Sequence, residues 1–304
     1  MTHLTRTLTA AEPHLEALPR PSGVSPEAAG SAAIGVAVHL GPALLYVAAL
    51  SLFGATAFSA VFGLLALSAL NLMALLYFER AAPSAALPLP SRAQIRDGLV
   101  LVFAKGVLAG GAVVLAVWGS ASAVLSPSGT AGGGWLAIFG AVVLTDYAYY
   151  WIHRSLNHSR GSNPVLRWYR KNHHLHHSVS ELDFFRGNVS SLMDTAVTGF
   201  QLSLGLIAAA LGLDLASTLT AYGLVLMLQA THHVNHTFRL GGLRFVFMDN
   251  HAHKLHHCRR GWMLNLGALF SVWDQLHGTY FEDWQLSANQ LHQENVAVPV
   301  RRRR

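Results

Sequence analysis

The chain has 304 residues, of which 52% are hydrophobic and only 12% are charged, and its mean hydropathy is +0.36. Soluble domains carry about 25% charged residues, so this composition excludes an ordinary soluble domain and predicts an all-α integral membrane protein. The net charge of +6 does not indicate nucleic-acid binding, because the arginines flank apolar segments and no nucleic-acid-binding motif is present. The single cysteine, Cys258, excludes an intrachain disulfide.

The N-terminal part of the chain predicts a tail followed by a helical hairpin. Residues 1–30 have no periodic apolar face and are expected to be flexible, and the acidic residues within them are not typical of a secretory signal peptide. Two apolar runs follow, Ser31–Phe53 and Thr56–Phe78, and each exceeds the roughly 20 residues that a span needs. The lone His39 in the first run is expected to face the helix bundle rather than to bind a metal.

Four further apolar runs bring the predicted number of membrane spans to about six. Beyond Gly261 the aromatic residues predict a cap at the membrane interface. We therefore expect one membrane-embedded catalytic domain over 31–290 and a basic tail over 291–304. The four runs are Gly98–Leu125, Trp135–Ile152, Thr195–Leu213 and Leu215–Thr231.

The distribution of charge predicts which side of the membrane each loop occupies. Six spans place the N-terminus, the 79–97 loop, the histidine-rich segments and the C-terminal arginines on one side. The loops expected on the other side contain no Lys or Arg. By the positive-inside rule, the histidine-rich segments form a helical cap on the cytoplasmic side.

Histidines are concentrated in the second half of the chain. Thirteen of the 18 histidines fall between His153 and His257. Imidazole is a common metal ligand, and its charge change near neutral pH disfavours it as buried filler. One tetrahedral zinc ion takes four ligands at most. A larger number of clustered histidines therefore predicts a site for two metal ions.

The spacing of the histidines indicates which of them share a helix face. His173, His176 and His177 stand at i, i+3 and i+4, which places them on one side of a helix, and the same spacing recurs in the second cluster. His153 and His158 are five residues apart, so we expect the helix to end or distort between them. The predicted ligands are His153, His158, His173, His176, His177, His232, His233, His236, His253, His256 and His257.

One ligand position in this set has two alternatives. His232 and His233 are adjacent, and either can be the first ligand of the third histidine group. Helical i, i+4 spacing to His236 favours His232, and His233 remains the alternative.

The segments HRSLNH, HHLHHS, THHVNH and HKLHH occur in this order and are followed by NLGALFSVWDQLHGTYF. From about Asp146 to Phe281 the chain therefore resembles the fatty acid hydroxylase / sterol desaturase superfamily of membrane enzymes. The resemblance implies a centre of two iron ions that activates O2 and attacks an unactivated C–H bond. It also implies hydroxylation or desaturation of a lipid-type substrate, such as a fatty acyl chain, a sterol or a carotenoid.

Asp146 is predicted to act beside the metal site. It lies within a predicted span, two helical turns before His153. A carboxylate inside a membrane span is energetically costly, so its presence indicates a functional role. A metal-bound histidine usually donates its other N–H to a carboxylate or a carbonyl. Helix capping is the favoured role of Asp183 and Asp249. The remaining candidates for hydrogen bonds around the site are Asp194, Asp274, His174 and His251.

The predicted reaction needs electrons that this chain does not supply by any recognisable motif. The sequence has no cytochrome b5 signature, no dinucleotide-binding motif and no cysteine set for an iron–sulfur cluster. A separate donor is therefore predicted, such as a ferredoxin or cytochrome b5 with its reductase. The alternative function is a membrane metal transporter or metal store, which predicts ligands spread through the membrane depth. A zinc hydrolase is disfavoured, because it needs few ligands and an open water site.

Overall fold

The computed structural model describes residues 27–81, 87, 90–125, 134–179, 182–188, 190–191, 193–194, 200–258 and 262–282, with side chains from residue 32 onward. Most of the predicted tail 1–30, most of the loop 126–134 and all of the basic tail 291–304 lie outside these residues. The described part is helical, apart from one isolated β-bridge between Phe247 and Phe270.

The helices are defined as follows. The first helix begins at Glu27, so the end of the predicted tail already belongs to it. The helices are α1 Glu27–Phe53, α2 Ala57–Ala81, α3 Arg92–Leu125, α4 Trp135–Asn157, α5 Pro164–His177, α6 Phe184–Gly187, α7 Phe200–Ala210, α8 Leu215–Gln229, α9 Asn250–His257 and α10 Val272–Leu276.

Four of these helices, α1 to α4, are long and apolar enough to cross a membrane. The two other predicted spans appear as the shorter helices α7 and α8, with 11 and 15 residues. Residues 195–199, the start of the first of these two predicted spans, lie outside the described residues. Four candidate spans are thus found among the described residues, where about six were predicted.

Burial within the bundle explains why α8 is apolar although it is short. It packs against α1, α2, α3 and α4, and most of its side chains are buried. Gly223 on α8 allows the close approach of α1, since a Cβ there would lie 2.7 Å from the ring of Tyr46. An apolar helix surrounded by other helices resembles a membrane span in sequence, because both require apolar residues on every side.

Two helices contain wide, π-helical stretches. One is the middle of α3, Leu101–Ala109, and the other is the end of α4, His153–Asn157. Such stretches are rare and often lie at functional sites. Here Leu101–Ala109 lines a cavity beside the histidines, and His153–Asn157 carries one of the histidines of the site.

Candidate metal centre

The end of α4 brings His153 and His158 onto the same face. The amide of His158 donates to the carbonyl oxygen of His153 at 3.0 Å, which closes a turn of five residues instead of four. A regular α-helix would splay the two rings, whereas here their centroids are 4.6 Å apart. The predicted distortion of the helix is confirmed, and it takes the form of a π-helical turn.

Helix α5 supplies three more imidazoles. Asn163 caps its first turn by accepting from the amide of Val165 at 2.7 Å, and Pro164 occupies the first helical position, where no amide hydrogen is needed. In the last turns, His173 and His177 point to one group of histidines, and His176 points to a second group.

Helix α9 repeats this arrangement with the two groups exchanged. Its cap is Asp249, which accepts from the amide of Ala252 at 2.8 Å, as expected for this carboxylate. His253 and His257 join the second group, while His256 joins the first. In both helices the residues at i and i+4 stay together, and the residue at i+3 serves the other group.

The histidines thus form two groups whose ring nitrogens converge. In each group, one nitrogen from every histidine lies within 4.8 Å of the others. The stacked rings of His177 and His257, with centroids 4.4 Å apart, join the two groups. The five-histidine group consists of His153, His158, His173, His177 and His256, and the four-histidine group consists of His176, His233, His253 and His257.

In the five-histidine group, the converging nitrogens of His153 and His173 carry lone pairs rather than protons. Nδ1 of His153 lies 2.7 Å from the carbonyl oxygen of Leu266, and Nδ1 of His173 lies 3.4 Å from a carboxylate oxygen of Asp194. Carbonyl and carboxylate oxygens accept hydrogen bonds, so each Nδ1 holds the proton of its neutral ring. The Nε2 atoms of His153 and His173 are nevertheless 2.9 Å apart, and two facing lone pairs repel each other unless a cation lies between them.

The buried environment disfavours the protonated form of five of the grouped histidines. Burial lowers the pKa of His158 and His177 well below the usual imidazole value, and neighbouring imidazoles lower it further. The same two causes, in the same order, lower the pKa of His233, His253 and His257. Metal ions bind the neutral form of histidine, so this donor set fits a bound metal ion in each group.

The structure places two of the predicted ligands outside both groups. Residues 231–236 form turns rather than a helix, so the helical spacing that favoured His232 does not apply there, and His233 is the residue that joins a group. The ring of His232 stacks on His253 with centroids 4.5 Å apart. The ring of His236 packs against Phe78, at 5.3 Å.

Other histidines and Cys258 also lie away from the two groups. Nδ1 of His39 lies 2.6 Å from the hydroxyl of Thr231, in the bundle as expected. His174 is on the exposed side of α5, and His251 is buried in α9. Cys258 is buried and packs with Leu255 and Phe281 in a small apolar cluster.

Two buried carboxylates hold the loop that directs the histidines. Asp146 on α4 accepts from the amides of Ala268, Leu269 and Phe270, at 3.3, 2.9 and 2.9 Å, and from the indole of Trp273 at 3.0 Å. Asp274 accepts from the amide of Leu266 at 2.7 Å. The carbonyl of Leu266 in this loop accepts from His153, so Asp146 acts on the site through the loop rather than by touching a ring.

Two features of the site have no clear signal in the sequence. The carbonyl of Leu264 accepts from Nδ1 of His256 at 2.8 Å, and a backbone atom leaves no trace in residue type. Gly187 lies against His233, because a Cβ at Gly187 would be only 2.4 Å from the Cβ of that histidine. Only an isolated glycine between the histidine clusters hints at this close approach.

A cavity of about 250 Å³ lies beside both groups of histidines. His173 of the first group lines it, as do His176, His233 and His253 of the second. Most of the remaining wall comes from α2, α3, α7 and α8 and is apolar, and Lys105 and Asp194 are two charged residues within it. Its apolar lining residues include Leu72, Leu75, Leu101, Val102, Phe103, Val107, Phe200, Leu226 and Met227.

Asp146→Asn should loosen metal binding while the fold is retained. An amide has one acceptor oxygen, so it cannot satisfy the four N–H groups that the carboxylate receives, and the loop carrying the carbonyl of Leu266 will shift. We expect metal affinity to fall about 10-fold. This is the smaller end of the range seen when a hydrogen-bond partner of a metal ligand is removed. Competition with a chelator measures it. Asp214→Asn at the cap of α8 is the matched control and should leave affinity unchanged, since Asn caps a helix as well as Asp.

Gly187→Ala should selectively remove metal from the four-histidine group. The added methyl group must displace the backbone of His233, whose Cβ lies 2.4 Å away, whereas the five-histidine group is not touched. Metal analysis of the purified variant should therefore show a lower content, with spectroscopic signals from one group retained. Gly242→Ala is the control, because nothing lies within 4 Å of a Cβ at that position. Full metal content in Gly187→Ala would contradict the placement of His233.

Comparison with known proteins agrees with the position of this site. The model of the fatty acid hydroxylase family matches residues 138–279, a segment that contains all nine histidines of the two groups. A search of curated proteins and a search of solved structures each gave no match. This match identifies residues 138–279 as a segment of the fatty acid hydroxylase / sterol desaturase superfamily.

Proposed function

We propose that the protein is an integral membrane, O2-dependent oxidoreductase that hydroxylates or desaturates a lipid-type substrate at a centre of two iron ions. The observation that carries the proposal is the pair of adjoining histidine groups beside a mainly apolar cavity, in a bundle with four helices long and apolar enough to cross a membrane. Membership of the fatty acid hydroxylase family supports an oxidation rather than a hydrolysis.

Each histidine group has a defined part in this proposal. The five-histidine group holds one ion, and the four-histidine group holds the other. When bound, the two iron ions would supply the O2 activation and the attack on a C–H bond. The protein contributes neutral ligands without a carboxylate in either group, so the ions keep most of their positive charge. It also contributes the carbonyl oxygens of Leu264 and Leu266, which fix two of the rings.

The cavity would position the substrate and exclude water. Its apolar wall suits a hydrocarbon segment, and His176 and His233 form part of the same wall. A fatty acyl chain, a sterol or a carotenoid could enter from the bilayer and present one carbon to the site. Exclusion of water would also protect reactive oxygen species formed there.

The proposed location of the site is the cytoplasmic side of the membrane. Six spans, or four spans with a short hairpin of α7 and α8, both return the chain to the side from which it entered. The N-terminus, the 79–97 loop and the histidine groups are therefore on the same side in either arrangement. Arg80, Arg92 and Arg96 belong to that loop, and positive charge favours the cytoplasm.

A membrane metal transporter or metal store is the alternative function. It requires ligands distributed along a path, whereas the nine grouped histidines adjoin each other and share one cavity. Compact groups favour a resident centre. We further propose that a separate donor, such as a ferredoxin or cytochrome b5 with its reductase, provides the electrons.

Lipid mass spectrometry of cells with and without the gene is the test of this function. We expect one lipid class to gain an oxygen atom or to lose two hydrogen atoms when the protein is present. His256→Ala and His233→Ala, one in each group, should abolish that product, because each removes a ligand. His277→Ala should keep it, since His277 lies outside both groups and its ring packs against Trp151, at 4.9 Å. Metal flux into vesicles without O2 consumption would instead support the transporter.

Val107→Phe should test whether the cavity receives the substrate. Val107 lines the cavity, so the larger ring fills space that a lipid would occupy. We expect lower product formation at unchanged metal content. The control is Leu108→Phe, because the adjacent Leu108 is 67% exposed on the outer side of the helix. Equal activity of both variants would place the substrate elsewhere.

A further inference from the structure

Helix α5 has two faces with different roles. Its inner face carries His173, His176 and His177, which belong to the two metal groups. Its outer face is exposed and combines cationic with apolar side chains. We call this outer surface the basic face of α5 and define it by Val165, Arg167, Trp168, Lys171, His174 and Leu175, all of which are exposed.

The basic face of α5 lies in a segment that has no compensating negative charge. Residues 147–180 contain five Lys and Arg residues and no Asp or Glu. Two of the five are used internally, since Arg154 donates to the hydroxyl of Tyr150 at 2.7 Å and Arg170 donates to the carbonyl of Ser159 at 2.6 Å. Arg167 and Lys171 form no ion pair with any residue in the described ranges.

This face is also close to the metal ligands. The width of one helix, about 10 Å, separates it from the ring nitrogens on the inner side of α5. Trp262 lies at the edge of the same region, with its ring 4.2 Å from the ring of His158 and 5.1 Å from that of His177. A protein bound to α5 would therefore reach both histidine groups across a short distance.

We infer that the basic face of α5 is the docking surface for an acidic one-electron donor protein. The inference rests on the proposed function in one respect, the need for electrons from outside the chain. Charge complementarity selects an acidic partner, and exposed Trp and Arg side chains are typical of the centre of protein interfaces. Redox partners form small, transient interfaces, for which one helix face is large enough.

Binding of a soluble acidic [2Fe–2S] ferredoxin, used as the probe, tests this inference. The full-length protein in phosphatidylcholine nanodiscs is compared with an Arg167→Glu/Lys171→Glu variant at low ionic strength. We expect the dissociation constant to rise about 10-fold or more in the variant, because two attractive charged positions become repulsive toward an acidic partner. The difference should vanish near ~0.5 M salt, where charges are screened within a few ångströms.

The control variant reverses two exposed arginines on another part of the same predicted side of the membrane, Arg80→Glu/Arg92→Glu. It should bind the ferredoxin like the unaltered protein. Equal affinity of the α5 variant and the unaltered protein, or no binding by the unaltered protein at low salt, overturns the inference. Loss of affinity for phosphatidylserine vesicles with unchanged ferredoxin binding would assign the face to the membrane surface and also overturn it.

The binding measurement does not depend on turnover. Absence of an oxidised lipid product would therefore count against the proposed function, whereas unchanged ferredoxin affinity would count against the docking surface alone. The two failures are read from different experiments. Neither altered residue belongs to a metal group, so metal content should be the same in all variants.

Discussion

The site depends on neutral imidazole nitrogens that face each other at hydrogen-bonding distance without protons to share. Backbone carbonyls of Leu264 and Leu266 take the Nδ1 protons of His256 and His153, which leaves lone pairs on the inner nitrogens. Burial opposes protonation of the surrounding rings. A cation bound between these nitrogens would relieve the repulsion among their lone pairs, so the arrangement fits a metal site.

Other parts of the fold hold the converging imidazole rings in place. Asp146 and Asp274 secure the loop whose carbonyls orient two rings. Glu79 at the end of α2 accepts from the amides of Phe184 and Asn235, both at 2.7 Å, and so ties together the two segments that flank Gly187 and His233. Buried carboxylates that receive several N–H donors fix loops without entering the metal groups themselves.

The exchange of roles between α5 and α9 explains how two short helices can serve two ions. Residues at i and i+4 point in nearly the same direction, whereas i+3 is turned to the other side of that direction. Each helix therefore gives two ligands to one group and one ligand to the other. The two groups share their supporting elements and one cavity, so a substrate in that cavity would face both.

The sequence by itself determined the helical class, the membrane character and nine of the histidines that meet in the two groups. It did so because spacing along a helix fixes which side chains share a face. In addition, a long run of apolar residues indicates that a helix lies in an apolar environment. It also located the break between His153 and His158. Only the tertiary structure decided that α8 is a short apolar helix packed among the other helices, since buried and lipid-facing helices have similar composition. It likewise decided between His232 and His233, because residues 231–236 form turns whose geometry depends on the segments packed around them.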